Sequence, residues 1–124
     1  MKKIIYSPGE PSGIGPDLII KLSSSNLWED LKIPIVSIGD PKLFIGRAAL
    51  LKKKIKIIEL ESLNQVSKNC KGLIQIIKVT KCSNTRPGKL YKSNAQYVLD
   101  NLTYSIKQTM QNEGTALVTG PLSK

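Results

Sequence analysis

Apolar residues recur along this chain in short, separate runs with two different spacings. Lys2 to Tyr6 is a compact apolar run that predicts a strand, and Gly15-Pro16-Asp17 then opens a helix reaching about Ser24. Within that helix Leu18, Ile19 and Leu22 fall three and four apart and are expected to share its inner face. Pro34 to Ile38 predicts a second strand. Gly39-Asp40-Pro41 starts the next helix, with Leu43, Phe44, Ala48 and Leu51 turned inward. Ile55 to Glu59 and Leu73 to Val79 predict two further strands, followed by a loop marked by the turn signal Thr85-Arg86-Pro87-Gly88.

The longest helix is expected from Ser93 to Gln111. Its stripe repeats at Val98, Leu102, Ile106 and Met110, and Tyr91, Ala95 and Leu99 widen it. Asn112-Glu113-Gly114 ends the helix, and Thr115 to Val118 predicts a buried strand. Strands alternating with helices predict an α/β fold, a largely parallel sheet with flanking helices. Such a sheet needs cover on both faces. The last strand leads only into Thr119-Gly120-Pro121-Leu122-Ser123-Lys124, so residues 1–124 are expected to form one incomplete unit, with the helix stripe and last strand left exposed.

Composition narrows the function. A chain of 124 residues with 40% hydrophobic and 23% charged positions fits one globular domain rather than a disordered tail. No apolar run approaches the ~20 residues of a membrane span. The amino terminus has no signal-peptide core before Ser7-Pro8-Gly9, so a cytoplasmic location is expected. Cys70 and Cys82 are read as reduced and structural in that setting. The sequence contains no histidine, which excludes any Ser-His, Cys-His or histidine-based zinc site within it.

The net charge of +10 invites a nucleic-acid reading, but only Arg47 and Arg86 of the 19 basic residues are arginines. Aromatic residues, at 5%, are too few for a stacking platform. The one dense basic run is Lys52-Lys53-Lys54 with Lys56. A solvated lysine-rich surface is the preferred reading over a patch that attracts anionic metabolites, and no nucleic-acid or membrane partner is expected.

Two segments are placed to carry chemistry. Ser7 to Asp17 leaves the first strand and enters the first helix, where open α/β folds bind ligands, and Gly13 and Gly15 would let backbone approach closely. The segment is neither a P-loop nor a dinucleotide fingerprint, because Leu18 occupies the place of the third glycine. Pro16 fits the first helical position and Asp17 sits at the positive helix end, where it would compete with a phosphate. A rigid turn is preferred over a ligand loop. The second segment offers Thr119 and Lys124, a hydroxyl and a cation beyond the last strand.

Taken together, Pro8-Gly9-Glu10-Pro11-Ser12-Gly13-Ile14-Gly15-Pro16-Asp17 resembles the opening loop of the 4-hydroxythreonine-4-phosphate dehydrogenase (PdxA) family. Arg47-Ala48-Ala49-Leu50-Leu51, Gly88-Lys89-Leu90 with Asn94-Ala95-Gln96-Tyr97-Val98-Leu99, and Ala116-Leu117-Val118-Thr119-Gly120-Pro121 with Lys124 resemble later family segments in family order. Ser12 stands where alanine is usual, and Ser123 where histidine is frequent.

The resemblance implies the amino-terminal part of an isocitrate/isopropylmalate dehydrogenase-like fold. It implies a homodimeric enzyme of vitamin B6 biosynthesis that uses NAD or NADP to oxidise a phosphorylated small-molecule substrate, 4-phosphooxy-threonine. It also implies a divalent metal held by histidines that come later than this sequence reaches, so the chain alone is expected to be inactive and to bind no metal tightly. Glu10, Gly13, Gly15, Thr119 and Lys124 are the expected substrate or cofactor pocket residues, with no catalytic or metal residue among them. The alternative is a non-catalytic α/β binding module.

Overall fold

The computed structural model describes residues 2–82 and 94–120. Five strands form one wholly parallel sheet in the order β3-β4-β2-β1-β5. They are β1 (Lys3–Ser7), β2 (Ile35–Ile38), β3 (Lys56–Leu60), β4 (Leu73–Ile77) and β5 (Thr115–Thr119). Helices α1 (Gly15–Ser23), α2 (Leu27–Asp30) and α3 (Pro41–Leu50) cover one face, and α4 (Ala95–Gln111) covers the other. The predicted α/β fold with a parallel sheet and flanking helices is therefore observed.

Alternation along the strands divides the core into two layers. Tyr6, Ile35, Ile74 and Ile76 point toward α1 to α3 and meet Ile19, Ile20, Trp28 and Phe44. Ile5, Val36, Ile38 and Ile77 point the other way, toward Leu63, Val66 and Tyr104. Trp28, in a helical turn the sequence pattern did not predict, is 1% exposed and donates its indole N–H to Leu73 O at 3.2 Å.

Local chemistry fixes the helix ends. Asp40 caps α3 by accepting from Lys42 N at 3.1 Å, and Pro41 begins the helix. At the other end Lys52 N donates to Ala49 O and Lys53 N to Ala48 O, a double closure around a left-handed residue. That residue is Lys52, with φ 55°, where glycine or asparagine is usual.

Three packing expectations change. In α1 the buried residues beyond Gly15 and Pro16 are Ile19, Ile20 and Ser23, whereas Leu18 is 49% exposed. The helix is wedged against α2, α3 and β4, which turns its buried arc toward Ile20. In α4 the buried residues are Tyr97, Asn101 and Ser105; of the expected stripe, Val98 and Leu102 are half-buried, with Val98 packed against the core, whereas Ile106 and Met110 are exposed, Met110 at 82%. The third concerns β5, which is an edge strand rather than a buried one. Among the described residues it pairs only with β1, and Ala116 and Val118 are exposed.

Candidate functional site at the carboxyl ends of the strands

β1 and β5 are neighbours, so their exits bring the two candidate segments together. Ser7 pairs with Thr119, and Gly120 N donates to Ser7 O at 2.7 Å. The Pro8 peptide is clamped between two glycines. A Cβ on Gly15 or on Gly120 would overlap the Pro8 carbonyl oxygen and lie 2.8 Å from its carbon. The close approach at Gly15 is therefore backbone against backbone. Gly13 is less constrained: a Cβ there would meet Glu10 O at 3.3 Å, and its φ is not left-handed.

Glu10 lies half-buried in the loop, where its Oε1 accepts from Ser12 N at 3.4 Å and its carbonyl accepts from Gly13 N at 3.0 Å. Thr119 is exposed at the end of β5, and Lys124 lies outside the described residues. The Ser12 hydroxyl is buried without a hydrogen-bond partner among the described residues, so it contributes nothing that alanine would lack.

Sequence reasoning missed what holds the loop. Arg47, on α3 and 3% exposed, donates Nη2 to Pro11 O at 2.5 Å and Nη1 to Gly13 O at 2.9 Å. Nη1 also pairs with Asp17 Oδ1 at 2.7 Å. One planar guanidinium thus ties α3 to both halves of the turn and to the first turn of α1. Asp17 is engaged by Arg47 rather than by the helix N–H groups. Pro16 has no N–H to offer, and Ile14 at the cap position provides no side-chain acceptor. The start of α1 is therefore filled by its own chain and does not fit a dinucleotide pyrophosphate.

A second polar knot lies beyond β2 and β4. Asp40 is 3% exposed; its N–H donates to Tyr97 Oη at 2.8 Å, and its Oδ2 accepts from Cys82 N at 2.8 Å. Cys82 Sγ donates to Asn94 Oδ1 at 3.5 Å. Burial, then the Asp40 and Glu10 carboxylates, push the Cys82 thiol up to about 12, with Arg47 acting in the opposite sense. Burial likewise raises the Tyr97 phenol. Both groups stay protonated at neutral pH, so neither serves there as a nucleophile or base. Cys70 and Cys82 are both free thiols, at opposite ends of β4.

The Asp40 cap was legible in Gly39-Asp40-Pro41. Its second carboxylate oxygen and the Tyr97 tie join positions 42 and 57 apart, which no local pattern reports. Among the described residues no three His, Cys, Asp or Glu side chains gather as a metal site. The divalent metal implied above thus finds no ligand set there. No helix among them is long and apolar enough to cross a membrane.

The profile of the family described as "Pyridoxal phosphate biosynthetic protein PdxA" matches residues 30–124. The chain belongs to the PdxA family. Curated relatives named 4-hydroxythreonine-4-phosphate dehydrogenase include one from Yersinia pseudotuberculosis (strain IP 31758), 33% identical over 98% of this chain and 36% of its own length. Another, from Citrobacter koseri, is 31% identical over 100% of this chain and again 36% of its own length. The chain thus spans about a third of the PdxA relatives it matches.

Solved structures agree on the fold. The 4-hydroxythreonine-4-phosphate dehydrogenase from Burkholderia phymatum superposes with a TM-score of 0.87 at 18% identity, covering 100% of this chain and 37% of the other. The Klebsiella pneumoniae enzyme gives 0.86 at 23%, covering 38% of that chain.

Proposed function

We propose that these residues form the amino-terminal part of an NAD(P)-dependent 4-hydroxythreonine-4-phosphate dehydrogenase that oxidises 4-phosphooxy-threonine in vitamin B6 biosynthesis. The observation that carries the reading is the junction at Pro8. It joins the loop after β1 to Thr119-Gly120, within two segments whose sequences resemble the PdxA family, at the carboxyl ends of adjacent parallel strands, the side where open α/β sheets receive ligands. In this reading Glu10, Gly13, Thr119 and Lys124 line one wall of the substrate or cofactor pocket. Gly15 sets the backbone that carries Glu10.

In this reading the other wall, the metal ligands and the nicotinamide site are supplied by the rest of the complete enzyme. The complete enzyme works in this reading as a homodimer in the cytoplasm, and the isolated chain is inactive. The start of α1 is closed by Arg47 and Asp17, which leaves the carboxyl ends of β1 and β5 as this chain's contribution to the pocket.

Reconstitution tests this. The chain is co-expressed with the remaining carboxyl-terminal part of the Klebsiella pneumoniae relative, and NAD(P)H formation from 4-phosphooxy-threonine is followed. Activity in the complex, absent from either part alone and reduced by Glu10→Gln or Thr119→Val, is the expected result. A stable complex without activity, or activity unchanged by both substitutions, contradicts the assignment.

A further inference from the structure

We propose that a lysine-lined cleft at the amino-terminal ends of β3 and β4 binds a compact, multiply charged anion of the oligophosphate class. The inference is independent of the function proposed above, because this cleft opens at the opposite end of the sheet from Pro8. Lys54, Lys56 and Lys71 surround it, over a floor made by Ile55 and Gly72. Its volume is about 440 Å³, within the range of small-ligand sites.

The charge is concentrated and uncompensated. The one ion pair among the described residues is Arg47–Asp17, so no carboxylate neutralises these three ammonium groups, and Glu29 and Asp30 on α2 form no pair with them. Two features set the cleft apart from a merely solvated lysine surface. Lys71 is held in place by Asn26 Oδ1, which accepts from its Nζ at 2.7 Å. The floor is drawn together by backbone bonds, Lys56 N to Gly72 O and Gly72 N to Ser23 O, both 2.7 Å.

The wall chemistry also selects the ligand class. Ammonium groups act as point charges that suit phosphate oxygens without demanding planar geometry. The lining has no aromatic ring on which a base would stack and no carboxylate to receive ribose hydroxyls. What it recognises is therefore a chain of phosphates, whether free or carried by a nucleotide.

Two measurements on the purified chain decide. In the first, amine-reactive footprinting read by mass spectrometry is run with and without inorganic triphosphate. Protection of Lys54, Lys56 and Lys71, with the exposed Lys42, Lys78 and Lys107 unprotected, is expected. Uniform protection of both groups overturns the proposal. In the second, equilibrium dialysis measures triphosphate, ATP and adenosine binding at fixed low salt. Replacing Lys54, Lys56 and Lys71 by Gln should weaken triphosphate binding by about tenfold or more, since three charge-assisted contacts are lost. The same change at Lys42, Lys78 and Lys107 keeps the net charge equal and should leave it nearly unaltered. Equal weakening by both triples overturns the site, as does binding of adenosine alone. ATP and triphosphate binding alike, without adenosine, supports it.

Discussion

Replacing Arg47 by methionine tests whether one buried guanidinium organises the candidate site. The side chain is 3% exposed and serves three acceptors, Pro11 O, Gly13 O and Asp17 Oδ1. Breaking a buried ion pair by removing one partner costs about 3–5 kcal/mol, because the surviving charge stays desolvated. Here Asp17 is 22% exposed, so water reaches its carboxylate, and methionine refills part of the lost volume. The expected loss is therefore about 3 kcal/mol, at the lower end of that range. Against a domain stability of about 5–15 kcal/mol this is a large fraction. Urea unfolding followed by circular dichroism reads it. With a slope of about 1–3 kcal/mol per molar, the midpoint should fall by about 1–3 M. Arg47→Lys should recover only part, since one ammonium cannot span the three acceptors. Asp17→Asn should cost about 1 kcal/mol, as an amide oxygen can still accept from Nη1. If Arg47→Met unfolds within about 0.5 kcal/mol of the parent, as an ordinary surface substitution does, the loop is held by something else.

The two glycines of the first turn should separate sharply. Gly15→Ala should lower the thermal midpoint severely or prevent folding, because its Cβ overlaps the Pro8 carbonyl, whereas Gly13→Ala should stay within about 1 kcal/mol of the parent. Thermal melts of the pair decide, and equal behaviour would refute the clamp. The isolated chain should also bind a hydrophobic dye and self-associate, more at high salt than at low as its +10 charge is screened. Sedimentation with dye fluorescence at two salt concentrations checks this, and a dye-silent monomer in both would mean the outward apolar residues form no sticky patch.

The order and type of the main elements were legible because strand and helix spacings differ so clearly here. β2, buried at all four positions, is apolar except for the small Ser37, and α3 announces its start with Asp40-Pro41. The short α2 was missed because Leu27–Asp30 is too brief to establish a period, and its role depends on Trp28 reaching Leu73 O across the fold. At the candidate site, the places of Glu10 and Gly13 in the loop after β1, of Gly15 at the start of α1 and of Thr119 at the end of β5 could be read from element order. Arg47 and Tyr97 were missed, because each bonds to partners more than 30 positions away, Arg47 as donor and Tyr97 as acceptor. Nor could spacing tell which glycine was indispensable. Gly13 and Gly15 look alike in the sequence, and only the position of Pro8 distinguishes them.

Helix α4 shows a deeper limit of periodicity. Its apolar stripe at Val98, Leu102, Ile106 and Met110 does fall on a helix, yet only Val98 and Leu102 are half-buried, while Ile106, Met110 and the adjoining Leu99 are exposed. The fully buried residues of α4, Tyr97, Asn101 and Ser105, all carry polar atoms. Ser105 Oγ donates to Asn101 O at 2.7 Å, and Tyr97 reaches Asp40 N, so part of the inward polarity is satisfied within the protein. A helix that meets its own sheet with tyrosine, asparagine and serine and turns leucine, isoleucine and methionine outward is patterned for two neighbours, one on each side. The same imbalance recurs nearby, where Leu18, Leu22 and Val118 line an open apolar groove with Ile4 and Tyr6 beside the unpaired edge of β5. Hydrophobic spacing therefore reports that a surface is built to be covered without saying which element covers it. In a chain spanning 36% of its relatives' length, the strongest stripe in the sequence need not point at the core that the chain itself supplies.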